Sequence, residues 1–77
     1  MDEKFVSPCP PPTPREREIL EILIEECSEV IQRATKALRF GLEEVQPGQP
    51  FSNTYRLSCE VGDLLEITDL AISECIA

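Results

Sequence analysis

From Arg15 to Phe40 the chain contains neither proline nor glycine, and apolar residues recur at Ile19, Leu20, Leu23, Cys27, Val30, Ile31, Ala34, Ala37 and Leu38. That spacing is the 3.6-residue period of an amphipathic helix, and a helix so long limits the fold to something built around one rod. Both of its ends are punctuated. Thr13 can serve as N-cap, Pro14 suits the first helical position and Glu16 completes a capping box. Gly41 stands where a left-handed C-cap would stop the helix, about seven turns later.

The flanking segments are of different character. Residues 7–14, "SPCPPPTP", hold five of the seven prolines, so residues 1–13 are expected to be an extended or disordered leader. After the helix (about 14–40), "GLEEVQPGQPFSN" carries Pro47, Gly48 and Pro50 and reads as a loop over 41–53. Ser52, Asn53 or Thr54 can then cap a second helix over about 54–75. Its apolar side holds Leu57, Val61, Leu64, Leu65, Thr68, Ala71, Ile72 and Cys75. The closing "SECIA" offers no obvious cap or polar finish. With no strand pattern, the fold class is all-α: a long helical hairpin forming one domain over 14–77. A chain of 77 residues buries a modest share of its surface, so a partner chain is expected.

Charge narrows the function. Fifteen acidic and seven basic side chains with no histidine give a formal charge of -8, which argues against nucleic acid or an anionic membrane as the main partner. No apolar run approaches the roughly 20 residues of a membrane span, and "MDEKFVSPCPPPTP" lacks the basic and apolar regions of a signal peptide. The expected setting is soluble and cytoplasmic. Cys9, Cys27, Cys59 and Cys75 form no CxxC pair, so reduced, partly buried thiols are expected.

Against this background the placement of certain acids is unusual. On a wheel of roughly 100° per residue with Ile19 at zero, the apolar arc runs from about 300° (Ile22) to about 140° (Ile24). Glu26 falls inside it near 340° and Glu29 at its edge near 280°. The second helix repeats the arrangement: with Leu57 at zero, Glu60 lies inside the apolar arc and Asp63 at its edge. Glu16, Glu18, Glu21, Glu25, Glu66 and Asp69 mostly read as ordinary solvated charges. A carboxylate in an apolar seam costs several kcal/mol unless protonated, paired with a cation or bound to a hard divalent ion. Arg33 and Lys36 can pair with Glu29, which leaves Glu60 and Asp63 without an evident partner. Magnesium or manganese would satisfy all four, and a network of bundle salt bridges is the competing solution. Arg33 and Lys36 continue the acid column toward the end of the first helix, Arg39 lies further round, and Arg56 stands one turn before Glu60. Carboxylates running into cations suit a polyphosphate; the plainer account is i, i+4 pairing and positive charge at a helix C-terminus.

"LIEECSEVIQRATKALRFG" followed by "EVGDLLEITDL" resembles the MazG-like branch of the all-α nucleoside triphosphate pyrophosphohydrolases, related to the dimeric dUTPases and phosphoribosyl-ATP pyrophosphohydrolases. The marks are EExxE on one helix, here Glu25, Glu26 and Glu29, and ExxD on the next, here Glu60 and Asp63. The similarity covers about residues 18–72, with two departures. The loop between motifs is on the long side, and relatives usually add a basic helix where this sequence reads "SECIA". The resemblance implies Glu26, Glu29, Glu60 and Asp63 as ligands of Mg2+, or of Mn2+, and cleavage of a (d)NTP into monophosphate and pyrophosphate. It further implies Glu25 and Glu29 as catalytic residues, Glu25 as an outer ligand of the metal site or as a residue that orients the water. Arg33, Lys36, Arg39 and Arg56 would hold the triphosphate, Asn53 the base or sugar, and an apolar groove near Ile22 and Leu64 the base. A homodimer or homotetramer with a four-helix-bundle-like core completes the expectation. The alternative is a non-catalytic helical interaction module with its acids in salt bridges.

Overall fold

A computed structural model describes residues 10–77, and most of the proline-rich leader lies outside them. Residues 10–13 carry no regular structure and lead into α1, Pro14–Phe40, which is followed by a loop and α2, Asn53–Ser73. The two helices pack antiparallel as a hairpin, and among the described residues there is no strand, only an isolated bridge between Val45 and Ser52.

The start of α1 is a full capping box. The Thr13 hydroxyl oxygen accepts from the Glu16 backbone N–H at 3.1 Å, and Glu16 Oε1 accepts from the Thr13 N–H at 2.9 Å. At its end Gly41 takes φ +102° and ψ 151°, which is not the left-handed helical region expected of a C-cap. It is instead a conformation that essentially glycine alone adopts, and it swings the chain directly into the loop.

The loop is shaped so that it satisfies the start of α2. Pro47 and Gly48 (φ +82°) form the centre of a turn closed by Gln49 N–H to Gln46 O at 2.9 Å. Glu44 O and Leu42 O then accept from the N–H groups of Asn53 and Thr54, the Ser52 hydroxyl accepts from Tyr55, and Ser52 O from Arg56. The three donors of the first turn, Asn53, Thr54 and Tyr55, are thereby met from outside the helical ladder, and the Arg56 bond to Ser52 O starts that ladder. Ser52 is thus the cap, and α2 begins one residue earlier than the sequence indicated.

The far end of α2 corrects a second expectation. "SECIA" does contain a cap: Cys75 N–H donates to Ile72 O at 3.0 Å and Ile76 N–H to Ala71 O at 2.8 Å, the paired bonds of a Schellman motif. Ile76 then folds back against the cluster of Ile19, Ile67 and Ala71. The left-handed position is filled by Cys75, at φ 60°, where a side chain is strained by roughly 1–2 kcal/mol. Cys75→Gly should therefore raise stability by about 0.5–1 kcal/mol after the looser unfolded chain is counted. A later urea midpoint at unchanged slope is the expected reading; an earlier midpoint would show that the thiol contributes packing. Cys27, Cys59 and Cys75 are all exposed free thiols rather than partly buried ones.

Packing between the helices follows one register. On α1 the inward positions are Ile19, Leu23, Glu26, Val30, Arg33 and Ala37; on α2 they are Asn53, Leu57, Glu60, Leu64, Ile67 and Ala71. Every one is buried or half-buried, and each set alternates steps of four and three, as a coiled-coil seam requires. Only Ile19, Ala37, Ile67 and Ala71 are buried apolar residues among those described. Half of the predicted apolar arc therefore stays uncovered, with Ile24, Ile31 and Leu38 at 67%, 66% and 86% exposure. Arg15 closes the open end of the hairpin, its guanidinium gripping both carboxylate oxygens of Glu74 at 3.3 and 2.8 Å.

Candidate metal centre

Two of the inward positions are acids. Glu26 comes from the middle of α1 and Glu60 from the first half of α2, and antiparallel pairing brings them together across the seam. Both are half-buried, and the Oε2 atom of each is sealed from solvent without a hydrogen-bond partner. A buried polar atom with no partner carries its desolvation penalty in full.

Glu26, Glu60 and Asp63 each offer a carboxylate oxygen, and the three oxygens lie within 4.8 Å of one another. Glu25, Glu26 and Glu29 form a second such set, sharing Glu26. Glu29 is half-buried, whereas Glu25 and Asp63 are exposed at the rim. The two helical motifs thus converge on one place, and the spacing of three residues in each explains why: it stacks successive carboxylates along one flank of each helix.

The electrostatics of this cluster are those of crowded, partly dehydrated anions. Burial pushes the Glu26 carboxyl above its ordinary value, reinforced by the charges of Glu29, Asp63 and Glu25. Glu60 is raised as well, first by the hydrogen bond its protonated form shares with Glu29, then by burial, and then by the charges of Glu29, Glu26 and Asp63. Cations do not relieve them. The ion pairs among the described residues are Arg15–Glu18, Arg15–Glu74 and Arg17–Glu21, all at the other acids near the hairpin's open end. The salt-bridge solution to the buried acids is therefore not the one the described residues adopt.

Beside the carboxylates lies an open cavity of about 390 Å³ lined by Ile22, Glu26, Asp63, Glu66, Ile67 and Leu70. Ile22 was expected here, but Leu64 instead packs into the core. Glu66, read as a solvated charge, belongs to the cavity wall; its position three residues after Asp63 was the available signal. Of the basic candidates, Arg33 and Lys36 are half-buried on the acid-bearing side of α1. Arg39 is exposed and lies 5.1 Å over the Phe40 ring. Arg56 donates to Gln46 Oε1 at 2.7 Å, which ties it to the loop. Asn53 is buried, and its amide donates to Gly41 O at 2.8 Å and Glu44 Oε1 at 3.1 Å. These bonds hold the loop closed and give Asn53 a structural task in this conformation.

A donor set of carboxylates alone, with no histidine in the chain and no inward-facing thiol among the described residues, suits a hard divalent cation. The two unpartnered oxygens fit that use, because a cation would complete both. No family model, no curated protein and no solved structure matches the chain.

Proposed function

We propose that the hairpin is a Mg2+-dependent nucleotide pyrophosphohydrolase of the MazG-like kind, cleaving a (d)NTP to (d)NMP and pyrophosphate. The observation that carries the reading is that Glu26 and Glu60 meet in one carboxylate cluster across the seam, each with an Oε2 that is sealed from solvent and unpartnered, and with no ion pair to either among the described residues. The order of the two acid motifs supports it, as does the cavity that begins at Glu26. Glu26, Glu29, Glu60 and Asp63 would hold the ion, with Mn2+ as a substitute.

When bound, the ion supplies charge neutralisation for the phosphate oxygens and a lowered pKa for a coordinated water. The chain's own residues do the rest. Glu25, exposed at the rim, and the half-buried Glu29, which share a carboxylate set with Glu26, would orient the attacking water. Arg33 and Lys36 face the triphosphate oxygens from the next turns of α1, as Arg39 and Arg56 can once drawn from Phe40 and Gln46. Ile22, Ile67 and Leu70 offer the base an apolar wall. A homodimer or homotetramer is the assembly this reading carries, in a chain that has no helix long and apolar enough to cross a membrane among the described residues.

Incubation with a panel of (d)NTPs and magnesium should release pyrophosphate, and Glu29→Ala or Asp63→Ala should reduce the rate by about a hundredfold or more, at least the loss seen for outer-shell partners of metal sites. Pyrophosphate release that survives both substitutions would sink the assignment of the site.

A further inference from the structure

We infer that the cavity beside the carboxylates selects guanine, with Glu66 accepting two hydrogen bonds from the donor edge of that base. The inference rests on the pyrophosphohydrolase reading and names its substrate as GTP or dGTP. Six residues line the cavity, and they divide by chemistry. Ile22, Ile67 and Leu70 supply apolar surface for the flat of a ring. Glu26 and Asp63 belong to the carboxylate sets whose oxygens gather within 4.8 Å, and the cation would occupy them. Glu66 belongs to neither set and makes no ion pair among the described residues. Of the six side chains it is the polar one left over for a ligand.

Its place along the hairpin matches that of a base. Glu66 stands three residues after Asp63 on α2, about 4.5 Å further toward the open end, and Ile22 stands four residues before Glu26 on α1. On both helices the cavity is therefore one turn beyond the acids, whereas Arg33, Lys36 and Arg56 lie on their other side, toward the loop. A nucleotide with its outer phosphates at these cations and its α phosphate at the acids puts its base against Glu66. An ionised carboxylate can only accept hydrogen bonds. Uracil and thymine present one N–H between two carbonyl oxygens, and cytosine and adenine an amino group beside a bare ring nitrogen, so each turns an acceptor toward the anion. Guanine presents two donors side by side, N1–H and the 2-amino group, at the spacing of the two oxygens of one carboxylate. Paired charge-assisted bonds of this kind are the strong ones, and an acceptor placed there instead stays unpaired beside a charge.

The test uses the full chain with magnesium. GTP should be cleaved with a kcat/KM at least about tenfold above that of ATP, CTP or UTP, the order of one charge-assisted hydrogen bond. The same margin should separate GTP from ITP, whose base differs from guanine only in lacking the 2-amino group. Glu66→Ala should bring GTP down to the level of ITP. Glu66→Gln should also close that gap, because an amide pairs with N1–H and the 6-oxygen that both bases share. A side chain with a merely structural role would shift all the nucleotides together. Calorimetric titration of the guanosine and inosine α,β-methylene triphosphates, which resist cleavage, gives the same comparison without turnover. Equal rates for GTP and ITP in the unaltered protein, or a GTP preference that survives both substitutions, overturns the guanine assignment and leaves the pyrophosphohydrolase reading standing. Pyrophosphate from none of the nucleotides, with the guanosine analogue still bound at least about tenfold more tightly than the inosine one, overturns the reaction and keeps the base assignment. Neither cleavage nor binding overturns both.

Discussion

Glu26→Gln combined with Glu60→Gln should raise the melting temperature of the metal-free chain and abolish the further rise that magnesium or manganese produces in the unaltered protein. Glutamine keeps the volume and shape of glutamate, so the seam stays filled, while two buried anions and their repulsion with Glu29 and Asp63 are removed. The same exchange replaces two of the four carboxylates that would hold the ion with neutral amides, which bind a hard divalent cation far more weakly. A cation binding only the folded state adds about 2.7 kcal/mol at a hundredfold excess over its Kd, which for a chain of this size is a shift of roughly 10–20 °C. The double variant should show none of it. An ion-pair network predicts the opposite sign for the first effect, because Gln would break favourable pairs and lower the metal-free melting point. A variant that melts earlier without metal and still responds to it would overturn the site as drawn here.

The contrast between the two ends of the hairpin shows which parts of such a fold are legible in sequence. Thr13, Pro14 and Glu16 act within one turn of backbone, and the capping box they spell is the one that forms. The wheel likewise places Glu26 and Glu60 inside the seam and Asp63 at its edge, since helical geometry alone fixes which flank a side chain occupies. Cys75 was opaque because its strained conformation is imposed from elsewhere: Ile76 is drawn onto Ile19 and Ala71, and the cap follows. Arg56 and Asn53 were opaque for a related reason. Their partners Gln46, Glu44 and Gly41 sit in the loop, and no periodicity reports a contact between a helix and the irregular chain before it.

The breadth of the apolar arc was visible but ambiguous. An arc from about 300° to about 140° on α1 is wider than one helix can cover, and a wheel merges covered and uncovered positions into a single stripe. The structure separates them, with Ile19 at 1% exposure in the seam and Leu38 at 86% outside it. This separation also sharpens the chemistry, because it shows that Glu26 and Glu60 belong to the seam the hairpin closes by itself.

Metal-free and metal-loaded chains should respond to pH with opposite slopes. Glu26 and Glu60 are held above the ordinary 4.5, so between that value and their raised ones the folded chain binds more protons than the unfolded chain. Stability without metal then increases as pH falls through those raised values toward 4.5. Glu74 works the other way: the hydrogen bond and charge of Arg15 hold it below 4.5, and its contribution, present above that value, is lost as pH falls through the lowered one. The metal-free melting temperature should therefore pass through a maximum near or somewhat above pH 4.5. With saturating magnesium the carboxylates must be ionised to hold the ion, so protons compete and the midpoint should drop as pH falls over the same range. General repulsion in an acidic chain also favours acid stabilisation without metal, so the double glutamine variant is the control. Its slope should flatten if Glu26 and Glu60 are the groups responsible, and an unchanged slope would assign the effect to the surface charge instead.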